Sequence, residues 1–309
     1  MSKSRIAVAV FIAFLAVSTA SIFIRLAQKD APSLVIAAIR LTIASTILLP
    51  PAFSSSANRD QLKNLSTRDW FLAALSGLFL AIHFASWITS LEFTTVVASV
   101  VLVSTGPLWV ALLSPFFLKE VPSRWVWMGM ALALAGGALV GVSDSCTVNG
   151  LSLACPPLSD LLAGSAIYGN FLALFGALTV AGYLMIGRRL RAKLDLVPYI
   201  FVVYSAAAIA LIAFMFISGE TPLGYQKWTY FWILALALIP QLIGHSTYNW
   251  VLKYLPASSV AVITLAEPFG AAILALIFLG EVPTLGVMAG GLLILCGVYL
   301  AMRNSEVVA

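Results

Sequence analysis

Two charged side chains stand inside stretches that are otherwise almost free of charge. Glu267 lies in the segment LAEPFGAAILALIFLGEVP (265–283), and no other charged residue occurs between Lys253 and Glu281. Arg40 lies in another apolar run, and a guanidinium keeps its proton at physiological pH. Because an unpaired charge is costly in hydrocarbon, each of these side chains requires a partner, a cavity or a ligand.

Two roles are open for each of these charges. Glu267 fits a proton-linked or amine-binding carboxylate, and it equally fits a structural group that hydrogen-bonds the backbone freed by Pro268. Arg40 fits a clamp for the carboxylate of a substrate. It also fits a structural arginine that snorkels outward or pairs with an acid such as Glu92.

The two histidines of the chain stand in matching settings. His83 is followed four residues later by Trp87, and His245 is followed by Tyr248 and Asn249. Residues four apart share one face of a helix. An imidazole, an indole and an amide on such faces can bind a zwitterion and stack on its side chain. The alternative is that each histidine is a hydrogen-bonded packing residue.

The composition places these residues in membrane helices. Of the 309 residues, 61% are hydrophobic and 9% are charged, and the mean hydropathy is +1.04. A soluble chain with so few charges could not cover its surface. We predict an all-α membrane protein with ten transmembrane helices, the first of them retained rather than cleaved as a signal peptide. The predicted spans are 6–24, 33–53, 70–90, 94–118, 124–143, 169–187, 196–218, 229–252, 257–280 and 284–302.

The basic residues predict the orientation. With the N-terminus inside and ten spans, thirteen Lys and Arg residues face the inside and three face the outside, while Arg40 lies within a span. Both termini are therefore predicted to be cytoplasmic, in a multi-pass protein of the inner (plasma) membrane. The net charge of +5 is then a topology signal, and a nucleic-acid partner is not expected.

The cysteines agree with this orientation. Cys146 and Cys155 fall in the longest outside loop, where a disulfide is plausible in an oxidising compartment and two unlinked thiols are the alternative. Cys296 lies in the last predicted span, where we expect a packing role. No pattern of residues indicates a metal site, and no cofactor is expected.

An internal duplication relates the segments 104–122 and 265–283. At an offset of 161 residues, eight of their 19 positions are identical, including Pro107 with Pro268 and the closing Glu-Val-Pro of each segment. Both prolines are predicted to break a helix and to act in gating, because proline cannot complete a helical ladder.

The duplication predicts two repeats of five helices, 1–143 and 169–309, joined by an extracytoplasmic loop, 144–168. A repeat with an odd number of spans enters the membrane in the opposite sense to its copy. Inverted-topology repeats of this kind are typical of secondary transporters, which bind substrate near the membrane midplane between the repeats.

The paired proline segments, the Glu267-Pro268 step and Arg40 early in the second span resemble the EamA branch of the drug/metabolite transporter superfamily. The resemblance covers residues 6–302. It implies ten helices, cytoplasmic termini and, in most members, export of amino acids and related metabolites, the aromatic amino-acid exporters being the best-known type.

The predicted substrate site collects polar and aromatic side chains of the spans. Its members are His83, Trp87, Ser104, Trp109, His245, Tyr248, Asn249, Glu267, Phe269 and Arg40. The predicted partners are the lipid bilayer and a small molecule, with a zwitterionic amino acid fitting best by elimination. The oligomeric state is left open.

The predicted function is export of amino acids or similar small metabolites by alternating access. An intramembrane enzyme is disfavoured because the sequence contains no HExxH, GxSxG or paired aspartates. A channel or scaffold would not need matched His and Pro positions in both repeats. Export of drugs, cations or other metabolites is the alternative, although residues 6–24 contain no acid and Arg40 is the only basic residue available to a phosphate ester.

Overall fold

The computed structural model describes residues 3–94, 96–119, 121–145, 147–149, 152–154, 165–279 and 285–303. These residues are almost entirely helical. The helices of the first half are α1 (Lys3–Ser18), α2 (Ala20–Ala27), α3 (Ser33–Ser54), α4 (Ser56–Lys63), α5 (Thr67–Phe93), α6 (Val96–Val103), α7 (Gly106–Phe117) and α8 (Arg124–Ser145).

The second half is built in the same way. Its elements are α9 (Ser165–Arg191), α10 (Leu196–Ile217), α11 (Lys227–Leu236), a π-helix (Ala237–His245), α12 (Ser246–Val251), α13 (Ala257–Thr264), α14 (Glu267–Leu279) and α15 (Leu285–Arg303).

A short hairpin lies in the predicted connecting loop between the halves of this otherwise helical protein. Strands β1 (Thr147–Asn149) and β2 (Ser152–Ala154) pair antiparallel. Only hydrocarbon forces the backbone to satisfy every hydrogen bond within a helix or a closed barrel. The connecting loop between the repeats is free of that requirement.

Eight helical segments of the described chain are long and apolar enough to cross a membrane. They are Ser4–Ala27, Ser33–Ser54, Thr67–Phe93, Ser99–Phe117, Tyr168–Arg191, Leu196–Ile217, Lys227–Val251 and Ala257–Phe278. The protein is therefore a multi-pass membrane protein, and eight of the ten predicted spans are confirmed by length and composition. The other two predicted spans coincide with α8 and α15, whose crossing of the membrane stays a prediction.

The packing of the helices repeats between the halves. α9 lies along α5, and the π-helix and α12 correspondingly lie against α1. α7 packs on α9 as α14 packs on α1. α3 packs on α10, and α8 packs on α15. Exchanging the two halves converts each of these contacts into another of them or into itself. This is expected for repeats related by a two-fold axis.

Small residues allow α8 and α15 to approach closely. A Cβ atom at Gly297 would overlap the backbone oxygen of Gly129 and would lie 3.0 Å from the Cβ of Ala133. Helices in a membrane gain little from the hydrophobic effect, so they associate through such close backbone contacts.

Two long helices break at matched positions. α6 ends at Val103 and α7 begins at Gly106, while α13 ends at Thr264 and α14 begins at Glu267. The prolines that follow Gly106 and Glu267 each occupy the second position of the new helix, where their missing N–H removes no hydrogen bond. The expected break before each proline is present, and a role of these breaks in gating stays a prediction.

Candidate substrate site

Arg40 lies in the second turn of α3 and is completely buried, with 0% of its side chain exposed. Its guanidinium carbon lies 4.2 Å from the centre of the Phe84 ring. None of the three guanidinium nitrogens has a hydrogen-bond partner. Because a buried cation normally needs both a counter-charge and acceptors, these donors are available to a bound molecule.

Neither of the two contacts named for a structural role of Arg40 is present. Its burial excludes snorkelling toward the membrane surface. Glu92 is engaged elsewhere, since it accepts hydrogen bonds from the backbone nitrogen of Ser33 at 3.1 Å and from its hydroxyl at 2.5 Å.

The two predicted histidines both contact Phe84. The ring centres of His83 and Phe84 are 5.0 Å apart, and those of His245 and Phe84 are 5.3 Å apart with an edge-on arrangement. His83 Nδ1 donates to the carbonyl oxygen of Gly176 on α9 at 2.9 Å, because a carbonyl can only accept. Trp87 stacks on His83 with a ring separation of 5.9 Å. The sequence-predicted faces of the third and eighth helices are thus brought together.

His245 connects this group to the acid. It ends the π-helix, and its buried Nε2 atom has no hydrogen-bond partner. Its ring meets the ring of Tyr248 edge-on at 6.4 Å. The Tyr248 hydroxyl lies beside the carboxyl of Glu267, although the two make no hydrogen bond of ordinary geometry.

Glu267 occupies the first position of α14 and lies within electrostatic range of Arg40 without hydrogen-bonding to it. A carboxylate at this position is favoured by the positive end of the helix dipole. Structural and substrate-binding roles of Glu267 are therefore compatible. We refer to Arg40, His83, Phe84, His245, Tyr248 and Glu267 as the central cluster.

Asn249 belongs to a neighbouring hydrogen-bonded network. Its side-chain nitrogen donates to the hydroxyls of Tyr183 at 2.5 Å and Tyr204 at 3.3 Å, and to the carbonyl oxygen of His245 at 2.9 Å. The Tyr204 hydroxyl lies 3.2 Å from that of Ser246. These bonds join α9, α10 and α12, which gives Asn249 a packing role, while its buried Oδ1 atom has no partner and stays available to a bound molecule.

The remaining predicted residues lie at the helix breaks. The Ser104 hydroxyl donates to the carbonyl oxygen of Val100 at 2.6 Å. Trp109 is half-buried, and its Nε1 atom has no partner. The Phe269 ring packs against Gly291 of α15. A cavity of about 150 Å³ lies between the two breaks and is lined by residues that include Ser104 and Pro268.

Sequence reasoning missed two members of this region. Phe84 contacts both histidines and Arg40, but nothing in the sequence distinguishes it among the 18 phenylalanines. Gln241 in the π-helix is fully buried, and neither atom of its amide has a partner of ordinary hydrogen-bond geometry. An amide inside the predicted span 229–252 was a usable signal, because polar side chains are rare in lipid-facing positions.

The predictions for the three cysteines have different outcomes. Cys146 and Cys155 lie outside the described residues, so their disulfide stays a prediction. The expected packing role of Cys296 is not observed, because this free cysteine is exposed on α15. Within the described ranges, no group of three or more His, Cys, Asp or Glu could hold a metal ion.

A helical membrane bundle made of two similar halves, with helices interrupted beside an enclosed polar cluster, has the architecture of a secondary transporter. The chain belongs to the EamA-like transporter family, whose sequence profile matches residues 4–142 and 167–303. These two matches fall on the two predicted repeats. The membership confirms the resemblance found in the sequence, and the protein is a transporter and not an enzyme.

Individual relatives agree with this assignment. An uncharacterized transporter of Archaeoglobus fulgidus is 25% identical over 289 residues, covering 92% of this chain and 93% of the relative. The uncharacterized transporters YdfC and YwfM of Bacillus subtilis are 25% and 26% identical, covering 85% and 91% of this chain and 79% and 90% of their own. A protein of known crystal structure shares the fold, with a TM-score of 0.74, 18% identity and 98% coverage of both chains.

Proposed function

We propose that this transporter exports small zwitterionic metabolites, and amino acids above all, across the inner membrane by alternating access. The observation that carries the proposal is Arg40, a fully buried cation with no hydrogen-bond partner on any guanidinium nitrogen. A carboxylate that enters the bundle would satisfy two of these donors at once, because a guanidinium binds carboxylates in a planar, bidentate way.

The other end of a zwitterion is matched by the acidic side of the central cluster. Glu267 and Tyr248 present oxygen atoms that can accept from an ammonium group. Arg40 and Glu267 influence each other electrostatically without being hydrogen-bonded, so each retains bonding capacity for a ligand. A substrate with both charges leaves the occupied site neutral, which reduces the cost of enclosing it in hydrocarbon.

Aromatic rings supply the surface for a substrate side chain. Phe84 carries Arg40 on one face, and the Trp87 indole stacks on His83 with its buried Nε1 unpartnered. Planar groups stack well on such rings. This composition favours amino acids with aromatic or other flat side chains among the zwitterions.

The same geometry weighs against the alternative substrates. An organic cation has no carboxylate to offer Arg40 and would add a second positive charge to a cluster with the single carboxyl of Glu267, and like charges repel strongly at low dielectric. A phosphate ester carries more than one negative charge, whereas Arg40 is the only cation of the central cluster.

The test is a panel of amino acids, presented to purified protein in detergent and to proteoliposomes with and without a pH gradient. We expect at least one amino acid to raise the unfolding temperature and to exchange across the vesicle membrane. Arg40→Lys keeps the charge but loses the bidentate fork, so it should lower the affinity by about 10-fold or more.

Arg191 provides a matched control, because it is also buried but donates to two backbone carbonyls. Arg191→Lys should lower the unfolding temperature of the free protein and keep the shift that the amino acid causes. If Arg40→Lys binds the panel as tightly as the wild type, Arg40 is not the substrate clamp. If no amino acid binds or exchanges, the proposed substrate class is wrong.

A further inference from the structure

The two ends of the bundle are built from equivalent parts of the two halves. One end joins the C-termini of α2 and α5 to the N-termini of α3 and α11, and we call it the Glu92 end. The other joins the C-termini of α9 and α12 to the N-termini of α10 and α5, and we call it the Lys253 end. The basic residues predict that the Glu92 end faces outside and the Lys253 end faces the cytoplasm.

The first shared contact runs from the end of one helix to the carbonyl groups at the end of another. At the Glu92 end, Arg25 donates to the carbonyl oxygen of Thr94 at 2.9 Å and Gln28 to that of Ile88 at 2.8 Å. At the Lys253 end, Arg188 donates to the carbonyl oxygen of Leu252 at 2.7 Å.

Arg191 completes this contact at the Lys253 end by donating to the carbonyl oxygen of Asn249 at 3.0 Å. Ile88 lies in the last two turns of α5 and Asn249 lies in the last turn of α12. A backbone carbonyl near the C-terminal end of a helix is therefore held at both ends of the bundle.

The second shared contact reaches the third residue of a facing helix. At the Glu92 end, the Asp30 carboxylate accepts from the hydroxyl of Thr229 at 2.8 Å, and Thr229 is the third residue of α11. At the Lys253 end, Lys193 pairs with Asp69 at 3.0 Å, and Asp69 is the third residue of α5.

The third shared contact fixes the start of a helix. Glu92 accepts from the backbone nitrogen and the hydroxyl of Ser33, the first residue of α3. Lys253 pairs at 3.1 Å with Asp195, which precedes the first residue of α10. Glu92 lies one residue before the end of α5, and Lys253 lies two residues after the end of α12.

The chemistry of the two ends differs although the positions correspond. At the Glu92 end, the carboxylates of Asp30 and Glu92 accept from hydroxyl and backbone N–H donors. At the Lys253 end, both of the corresponding contacts are ion pairs, and their lysine side chains are 58% and 40% exposed. Exposed ion pairs are screened by salt, whereas hydrogen bonds to neutral donors depend on it much less.

We propose that these matched contacts are two latches that open in alternation, and that only the latch at the Lys253 end is weakened by ionic strength. The inference rests on the proposed transport by alternating access. Both latches are formed in the structure, with the central cluster enclosed between them. Because each half can adopt the arrangement of the other, release of one latch shifts the population toward the state open at that end and keeps the opposite latch shut.

Hydrogen exchange of the protein in lipid nanodiscs tests this without any substrate. Glu92→Gln removes the charge of one latch, and Lys253→Gln removes the equivalent charge of the other. Glu92→Gln should speed amide exchange in peptides covering 28–35 and 88–94 by about 3- to 10-fold, as for one lost charge-assisted hydrogen bond. It should slow exchange in peptides covering 188–196 and 249–255. Lys253→Gln should produce the reverse pattern.

Ser33→Ala and Asp195→Asn act on the partner side of the same contacts and serve if a first variant does not fold. Alternation is refuted if a variant loosens only its own end, or if both ends loosen together. Because hydrogen exchange is measured without substrate, this test of the latches is independent of the amino-acid panel. Transport without reciprocal exchange would refute the latches and leave the proposed function intact.

The second test measures hydrogen exchange at different ionic strengths. Raising the ionic strength of the wild type should speed exchange at the Lys253 end and slow it at the Glu92 end. The double variant Ser33→Asp with Glu92→Lys replaces the contact at the Glu92 end with an ion pair like that of the other end. In this variant, added salt should change the exchange rates at the two ends in the same way. If the variant responds to salt as the wild type does, the assigned chemistry is wrong.

Discussion

The centre of the bundle and its two ends differ in the hydrogen bonding of their buried polar groups. Arg40 at the centre is fully buried and has no hydrogen-bond partner, whereas Arg191 at the Lys253 end is equally buried and donates to the carbonyl oxygens of Asn249 and Leu194. Buried polar groups that hold a fold together are satisfied within it. Groups left unsatisfied in an enclosed space reduce stability and are retained for binding.

The largest effect is expected when Arg40 and Arg191 are replaced, each in its own variant, by a side chain of similar length. Arg40→Met removes a buried cation that has no hydrogen-bond partner, so we expect the free energy of unfolding to rise by about 1–3 kcal/mol while transport is lost. Arg191→Met strands two carbonyl groups and should lower the free energy of unfolding by about 2–4 kcal/mol.

Unfolding titrations of the two variants in one detergent measure these changes, with vesicle transport assayed in parallel. Destabilisation of similar size in both variants would mean that Arg40 is structural and that the contrast between centre and ends is mistaken.

The second effect concerns Glu267, the acid of the central cluster. If it carries protons, Glu267→Gln should abolish the dependence of transport on a pH gradient while leaving exchange at equal pH largely intact, because glutamine keeps the shape but cannot titrate. If it only supports the start of α14, Gln should be tolerated, and Glu267→Ala should lower the folded yield. Transport that keeps its wild-type pH response in the Gln variant would eliminate the proton-carrying role.

The smallest effect separates the two ends by their pH response. Burial raises the pKa of Glu220, with repulsion from Glu92 as a second cause and a hydrogen bond from the Val35 backbone opposing both. Hydrogen bonding from Gln61, followed by the contact with Lys253, lowers the pKa of Asp195. An acid whose pKa is raised in the closed form binds its proton more tightly there.

Lowering the pH from neutral should therefore protonate Glu220 first and tighten the Glu92 end. The contribution of Asp195 persists until the pH falls below the ordinary range of an aspartate. Exchange rates of peptides 28–35 measured between about pH 5 and 8, corrected for intrinsic exchange, should show this tightening in the wild type and lose it in Glu220→Gln. An identical pH profile in the two proteins would remove Glu220 from the Glu92 end's response.

Much of this architecture could be read from the sequence, because the bilayer imposes a simple rule on a spanning chain. Apolar length predicted where helices lie, and the offset of 161 residues between Pro107 and Pro268 predicted the two halves and their broken helices. The sequence also indicated the residues of the site, since His83, His245 and Glu267 are polar where lipid would exclude them.

What the sequence could not decide is which polar side chains are satisfied. Asn249 and Gln241 look alike in an apolar span, yet the Asn249 amide nitrogen meets two tyrosine hydroxyls and only its Oδ1 atom lacks a partner, whereas neither atom of the Gln241 amide meets a partner of ordinary geometry. The role of Phe84 beneath Arg40 was likewise decided only in three dimensions. Hydrogen bonding and ring stacking depend on ångström-scale distances between distant parts of the chain, so only the tertiary structure separates residues that hold the fold from residues that await a ligand.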